Sequence, residues 1–207
     1  MSQVSVMIVI VDYGMGNLRS VAKAFEKVGA SAQVTQDPKV VQKATKLILP
    51  GVGAFQDARQ SLETLQLVDP IVTAIRRGIP FLGICLGLQL LFTESEEGGR
   101  HPGFNLIEGK VRRFAKSELK VPHIGWNQIE VRAPGCPLLK DVPDRSYFYF
   151  VHSYYVDPIE KRSITTETSY GIPFASMVWR GNIFATQFHP EKSQRLGLKI
   201  LENFVAL

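Results

Sequence analysis

Two short stretches of this 207-residue chain hold residue types that can do covalent chemistry. In the first, Gly83-Ile84-Cys85-Leu86-Gly87, a thiol stands between two glycines inside the apolar run from Phe81 to Phe92. Glycine weakens both a buried strand and a helix start unless the backbone must bend sharply there. The pattern fits a nucleophile elbow, in which a strand breaks into a strained turn that opens a helix, and small residues on either side let strand and helix approach. Such a turn lifts Cys85 to the carboxyl edge of a sheet, where open α/β folds place their sites. A free thiol is only a few per cent ionised near neutral pH. The amides of a helix beginning at Leu86 and a nearby imidazolium are the two features expected to favour its thiolate.

The second stretch is Ala185 to Ser193, with His189-Pro190-Glu191 at its centre. Pro190 biases His189 toward extended backbone, where residues two apart share a face. Glu191 is therefore expected to hold the imidazole at Nδ1 while Nε2 faces the thiol, a Cys-His-Glu triad defined by roles and not by chain order. Acyl transfer also needs donors for a developing oxyanion. The backbone N–H of Leu86 is the natural first donor, and the glycine-rich bend in Leu49 to Phe55 offers a second from Gly51 or Val52. The remaining histidines are weaker candidates for the base: His101 lies in a Gly/Pro loop, His123 follows a proline, and His152 sits in a hydrophobic run. They are scattered without ligand-type spacing, so no metal site is expected. A dinucleotide cofactor is not expected at Val11 to Asn17 either, because Arg19 replaces the third glycine of that fingerprint.

The elements that must position these residues follow from periodicity. Ser5 to Val11 is a β-branched strand, and Leu18, Val21, Ala22, Phe25 and Val28 have helical spacing, capped by Asn17 and ended by Gly29. Strands recur at Leu47 to Leu49 and Ile79 to Ile84, and helical spacing runs through Leu86, Leu90 and Leu91. This alternation predicts an α/β fold with a doubly wound, mostly parallel sheet. Beyond residue 100 the texture changes to β-type segments at Gln128 to Val131, Ser146 to Val151, Ile164 to Thr168, Ala175 to Trp179 and Ile183 to Thr186, before a helix from about Gln194. These are read as antiparallel additions in the C-terminal half of one domain spanning residues 1–207.

Composition narrows the function classes. With 24 Lys+Arg against 19 Asp+Glu the net charge is +5, but the only dense basic patch, Lys110 to Lys116, alternates with Val111 and Phe114 like a strand with one wet face. Nucleic-acid binding is not expected from it. No apolar run has the length of a membrane span, and the N-terminus lacks a secretory pattern, so a soluble cytoplasmic protein is expected. Cys85 and Cys136 are too few for a disulfide framework.

With these residues in view, "GICLGLQLLF" and "HPEKS" resemble the class I, or triad, glutamine amidotransferases. "VDYGMGNLRSV", "LPGVGAF", "PHIGWN" and "YFVHSYYV" resemble, within that class, the glutaminase subunits of imidazole glycerol phosphate synthases. The resemblance runs from Asp12 to Ser193. It implies hydrolysis of glutamine to glutamate and ammonia, without a cofactor, and transfer of the ammonia to a separate (β/α)8 cyclase subunit in a heterodimer. The cyclase would then form imidazole glycerol phosphate and an aminoimidazole carboxamide ribotide for histidine synthesis. It also implies that Gln89, His152, Ser153 and Tyr154 hold the substrate and that Asn17, Trp126 and Lys192 face the partner. A docked acceptor has a chemical logic, since ammonia released into neutral water is protonated and loses its nucleophilic lone pair. Two other readings fit the elbow alone: a stand-alone cysteine hydrolase, and a non-catalytic interaction module.

Overall fold

The computed structural model describes residues 7–115 and 119–207. The start of the expected first strand and the end of the basic patch at Lys116 lie outside the described residues. In chain order the elements are β1 (Ile8–Val11), α1 (Leu18–Lys27), β2 (Ala32–Thr35), α2 (Pro38–Lys43), β3 (Lys46–Gly51), α3 (Phe55–Thr64), α4 (Val68–Arg76), β4 (Phe81–Cys85), α5 (Leu86–Gln89), β5 (Phe92–Ser95), β6 (His101–Pro102), β7 (Ile107–Arg113), β8 (His123–Gln128), β9 (Glu130–Val131), β10 (Tyr147–His152), β11 (Tyr154–Pro158), β12 (Ile164–Tyr170), β13 (Ile172–Arg180), β14 (Ile183–Thr186) and α6 (Gln194–Val205).

Among the described residues, one large mixed sheet runs in the order β2-β1-β3-β4-β14-β13-β11-β7-β5-β6, with β12 and β9 continuing from β13. The β2-β1-β3-β4-β14 portion is parallel throughout. Its inner strands β1, β3, β4 and β14 are buried on both faces, as a sheet covered by helices on each side requires, whereas the edge strand β2 is partly exposed. Along β1, Val9 and Val11 join the core containing Phe55, Leu62 and Ile71 of α3 and α4, while Ile8 and Ile10 join that of Phe25 on α1 and Phe204 on α6. The expected helix at Leu18 forms for the reasons its sequence gives. The Asn17 side chain accepts from the Ser20 amide at 3.3 Å, Val21 and Phe25 are buried, and Gly29 takes φ +79° just past the end.

Three expectations need correction. Ile183 to Thr186 is antiparallel only to β13; against β4 it runs parallel, so the last strand of the chain lies inside the sheet. The segments at Gln128 and Ser146 do not extend the main sheet as one piece: β8 and β10 form a separate two-stranded ribbon, and β9 leaves β8 after the buried Ile129. The helix after Cys85 is a single turn, Leu86–Gln89, because Leu90 to Phe92 must return to the sheet as β5. No described helix is long and apolar enough to cross a membrane.

Candidate active site

Strand order places the candidate residues side by side. In the register β4 lies between β3 and β14, with Gly51 opposite Cys85 on one side and Thr186 opposite Ile84 on the other. The bend after β3 and the chain leaving β14 therefore flank the thiol. Cys85 itself has φ 55° and ψ −105°, a strained conformation for a residue with a Cβ, and is 6% exposed. Both glycines of the elbow are required by contact. A Cβ on Gly87 would fall onto the carbonyl oxygen of Leu49 in β3, and one on Gly83 would stand 2.7 Å from the Gly87 carbonyl oxygen. The thiol hydrogen reaches toward the Val151 carbonyl at 3.9 Å.

His189 is buried with its backbone extended, φ −99° and ψ 98°, as the following proline demands. The next residues do not continue that way. Pro190–Lys192 is a 3-10 turn, so Glu191 reaches the imidazole by folding back and not by sharing a face of extended chain. The result is still a 2.8 Å contact between His189 Nδ1 and Glu191 Oε1, both side chains being buried. The turn is fastened by Ser193, whose hydroxyl donates to the His189 carbonyl at 2.6 Å and accepts from the Tyr149 amide at 3.0 Å. With Nδ1–H committed to Glu191, Nε2 has no other protein partner. Burial alone pulls the imidazole's pKa down, but the Cys85 sulfur and then the Glu191 carboxylate override it and hold the ring well above its ordinary value.

Cys85, Leu86 and Val52 open onto a cavity of about 360 Å³. Gln89, Ser153 and Tyr154 also line it, as do His152 and Lys192. Gly51 does not line it; its backbone is packed against the Tyr13 hydroxyl and Leu86. The His152 ring is fully engaged within the protein, Nδ1 with the Tyr154 carbonyl at 2.8 Å and Nε2 with His123 at 2.9 Å. What this histidine offers the cavity is thus backbone and shape. Burial drives its pKa down to about 3 and that of His123 to about 4, so both rings are neutral. The three residues assigned to a partner are more dispersed. Trp126 and Lys192 flank Tyr149, with ring centroids 6.1 Å apart and Nζ 5.7 Å from the Tyr149 ring, whereas the Asn17 side chain is occupied as the α1 cap. Lys192 is exposed, but its direction is set by the 3-10 turn and not by strand alternation.

Four residues of this region escape reading from sequence. Glu97 lines the cavity and accepts from the Phe55 amide at 2.9 Å, yet in "TESEEGGR" it looks like one of several solvated acids. Tyr13 has a buried, unpartnered hydroxyl whose pKa is pushed up by burial and by the Cys85 charge. Tyr149 bridges Trp126 and Lys192. Gln187 donates to Cys85 Sγ at 3.6 Å. For Gln187 a signal existed, since it stands two residues before His189 on the same strand exit.

The model of the family "Glutamine amidotransferase class-I" matches residues 9–207. The chain is 56% identical over 204 residues to the imidazole glycerol phosphate synthase subunit HisH of Syntrophotalea carbinolica, covering 96% of this chain and 98% of that one. It is 52% identical over 200 residues to the same-named subunit of Methanosarcina barkeri, covering 96% and 97%. Among solved structures, one described as a glutamine amidotransferase superposes with a TM-score of 0.74 at 17% identity, covering 96% of this chain and 97% of that one. PurLQS from Thermotoga maritima superposes with a TM-score of 0.75 at 16% identity, covering 97% of each. At such identities these two likenesses concern the fold alone.

Proposed function

The chain belongs to the class I glutamine amidotransferase family, and on that premise we propose how its residues divide the work of a glutaminase subunit of imidazole glycerol phosphate synthase. Identities of 50% and more to HisH subunits over nearly the whole chain leave no room for the two rival readings, a stand-alone hydrolase or an inert module.

The Cys85 thiolate attacks the side-chain amide carbon of glutamine, and the carbonyl π electrons move onto oxygen. The backbone N–H of Leu86, with that of Gly51 or Val52, meets the oxyanion. Val52 is the better placed of the two, since it faces the cavity while Gly51 is packed behind it. The tetrahedral adduct collapses, the C–N bond breaks, and His189 Nε2–H protonates the departing nitrogen to give ammonia and a γ-glutamyl thioester. Water then attacks the thioester carbon while Nε2 takes its proton. Glutamate leaves, and the resting thiolate and imidazolium are restored. Glu191 keeps Nδ1 protonated and stabilises the imidazolium. The single observation carrying this reading is the His189 ring fixed through Nδ1 to Glu191 with Nε2 left to the Cys85 sulfur.

Gln89, Ser153 and Tyr154 shape the glutamine pocket together with the backbone of His152, and the Glu97 carboxylate is suited to the substrate's ammonium group. The relatives are named as subunits, so a second subunit is implied. We assign it as a (β/α)8 cyclase forming a heterodimer, docked over the outer face of the β8–β10 ribbon. That face exposes Ile124, Trp126 and Tyr147, and it continues to the cavity rim at Val151 and Lys192. A partner seated there covers the mouth through which ammonia leaves. Asn17 belongs to this reading only through its place at the α1 start. The cytoplasm is the proposed setting, in keeping with two free cysteines.

The test is glutamate release and nucleotide turnover by the assembled synthase. Cys85→Ala is expected to abolish glutamine-dependent turnover while leaving turnover from added ammonium salts intact. Equal loss of both in an assembled complex would refute this division of labour.

A further inference from the structure

A continuous chain of buried hydrogen bonds ends on the nucleophile, and its polarity is fixed by one atom. The carbonyl oxygen of Tyr154 can only accept. Nδ1 of His152 at 2.8 Å must therefore carry a hydrogen, and the amide atom of Gln89 facing that oxygen at 3.2 Å must be Nε2. On one arm, the neutral His152 is left with a bare Nε2 that accepts from His123 Nδ1–H at 2.9 Å. His123 Nε2 in turn accepts from Asn127 Nδ2 at 3.2 Å. On the other arm, the second hydrogen of Gln89 Nε2 goes to Gln187 Oε1 at 3.2 Å. The Gln187 amide is thereby oriented with its NH₂ toward Cys85 Sγ at 3.6 Å. Gln187 is wholly buried and Gln89 nearly so, so no competition from bulk water disturbs the order.

We propose that Gln187 is a positioning residue for the thiol, a fixed amide donor that stabilises and aims the Cys85 thiolate and is held in that orientation by Gln89 and the Tyr154 carbonyl. The inference rests on Cys85 being the nucleophile. A neutral thiol directs its hydrogen to the Val151 carbonyl. Once ionised, the sulfur can only accept, and two donors face it: Nε2–H of His189 from the strand exit and Nε2–H of Gln187 from the same segment. The other ionisable groups turned toward this sulfur or its cavity are Tyr13 from the β1–α1 bend, Glu97 beyond β5, His152 and Tyr154 from β10 and β11, and Lys192; Glu191 acts from behind His189. Gln187 carries no titratable proton, so its donor does not itself change with pH. As sulfur attacks carbon its negative charge moves to the carbonyl oxygen, and the amide bond weakens accordingly. The role of Gln187 thus falls on the steps in which sulfur carries the charge, forming and orienting the thiolate before attack and receiving it again when the thioester is hydrolysed.

The experiment is the pH dependence of Cys85 alkylation by iodoacetamide, followed by peptide mass mapping. It compares the whole chain with Gln187→Met, which keeps length and loses the donor, and with Gln187→Glu, which keeps shape and turns an acceptor to the sulfur. Removing a hydrogen bond to a charged group is expected to move the inflection upward by about one pH unit in Gln187→Met. Gln187→Glu is expected to move it further. A folded Gln187→Met whose profile superimposes on that of the wild-type chain overturns the proposal. If Gln187→Met does not fold, the isosteric Gln187→Glu carries the same comparison. Should alkylation of Cys85 leave glutamine-dependent turnover by the synthase unaffected, the assignment of the nucleophile falls instead, and the two failures are thereby separate.

Discussion

On the roles proposed above, removing the His189 imidazole takes away both the acid that releases ammonia and the base that activates water, so His189→Ala is expected to lower glutaminase turnover on the order of a thousandfold or more. Glu191→Gln keeps an oxygen that can accept from Nδ1–H but loses the charge that favours imidazolium. Its cost is expected to be smaller than that of His189→Ala, with the fold intact; steady-state glutamate release in the assembled synthase measures both. An equal loss for the two would mean that Glu191 does more than orient. At this scale much was legible in the sequence. A thiol between glycines and a histidine before proline announce themselves through backbone constraints that act over two or three residues. Glu97 and Gln187 do not, because what distinguishes them is a neighbour 42 residues away in one case and 102 in the other.

Elements set how far those side chains can drift, and two glycine contacts make the point testable. Gly197 on α6 lies against the Pro190 carbonyl oxygen, leaving no room for a Cβ. Gly197→Ala must push α6 away from the 3-10 turn that holds Glu191. It is expected to cost about 1–3 kcal/mol of stability by urea unfolding and to lower glutaminase activity although residue 197 touches no substrate. Gly87→Ala meets the Leu49 oxygen inside the sheet, where nothing can yield, and is expected to reduce soluble protein outright. Wild-type unfolding midpoints for either would show that the elbow is looser than its contacts require. Periodicity located β1, β3, β4 and α1 because their burial repeats along the chain, but it passed over β2, whose residues are half exposed. It overextended the helix after Cys85, since Leu90 and Leu91 are apolar for another reason, their return to the sheet. It also gave no hint that Glu191 sits in a turn, as three residues of 3-10 geometry are too few to leave a pattern.

For the molecule as a whole, the neutral pair His123 and His152 sets a pH limit. Their pKa values fall from the ordinary 6.5 to about 4 and about 3 on folding. The unfolded chain therefore binds more protons than the folded one as pH drops below about 6.5, and stability declines from there toward pH 4. His189 is shifted upward, so its contribution is fully present below that pH and is lost only as pH rises through its raised value. Between pH 6.5 and 5 the decline thus belongs to the buried pair. A urea midpoint that stays level across this interval would mean that the pair is not held neutral. Association is the other whole-molecule property. Trp126→Ala on the exposed ribbon face is expected to weaken binding to the cyclase by roughly ten- to a hundredfold without changing the melting temperature of the chain alone. Titration of glutaminase rate against cyclase concentration reads it directly.

The place of β14 inside the sheet has a consequence for how the protein comes into being. Ribosomes make the chain from its amino end, and the nucleophile's strand β4 is complete long before its neighbour β14 exists. Gln187 is 102 residues later than Cys85. At about 5–20 residues per second, the thiol waits roughly 5 to 20 seconds for the segment that supplies its base. During that interval the growing chain carries a cysteine with no imidazole beside it and a sheet edge where β14 will later pair. On the proposed roles, reactivity is therefore conferred only once residues 183–191 have been made, and a truncated product ending before residue 183 has a thiol but no means of hydrolysing glutamine.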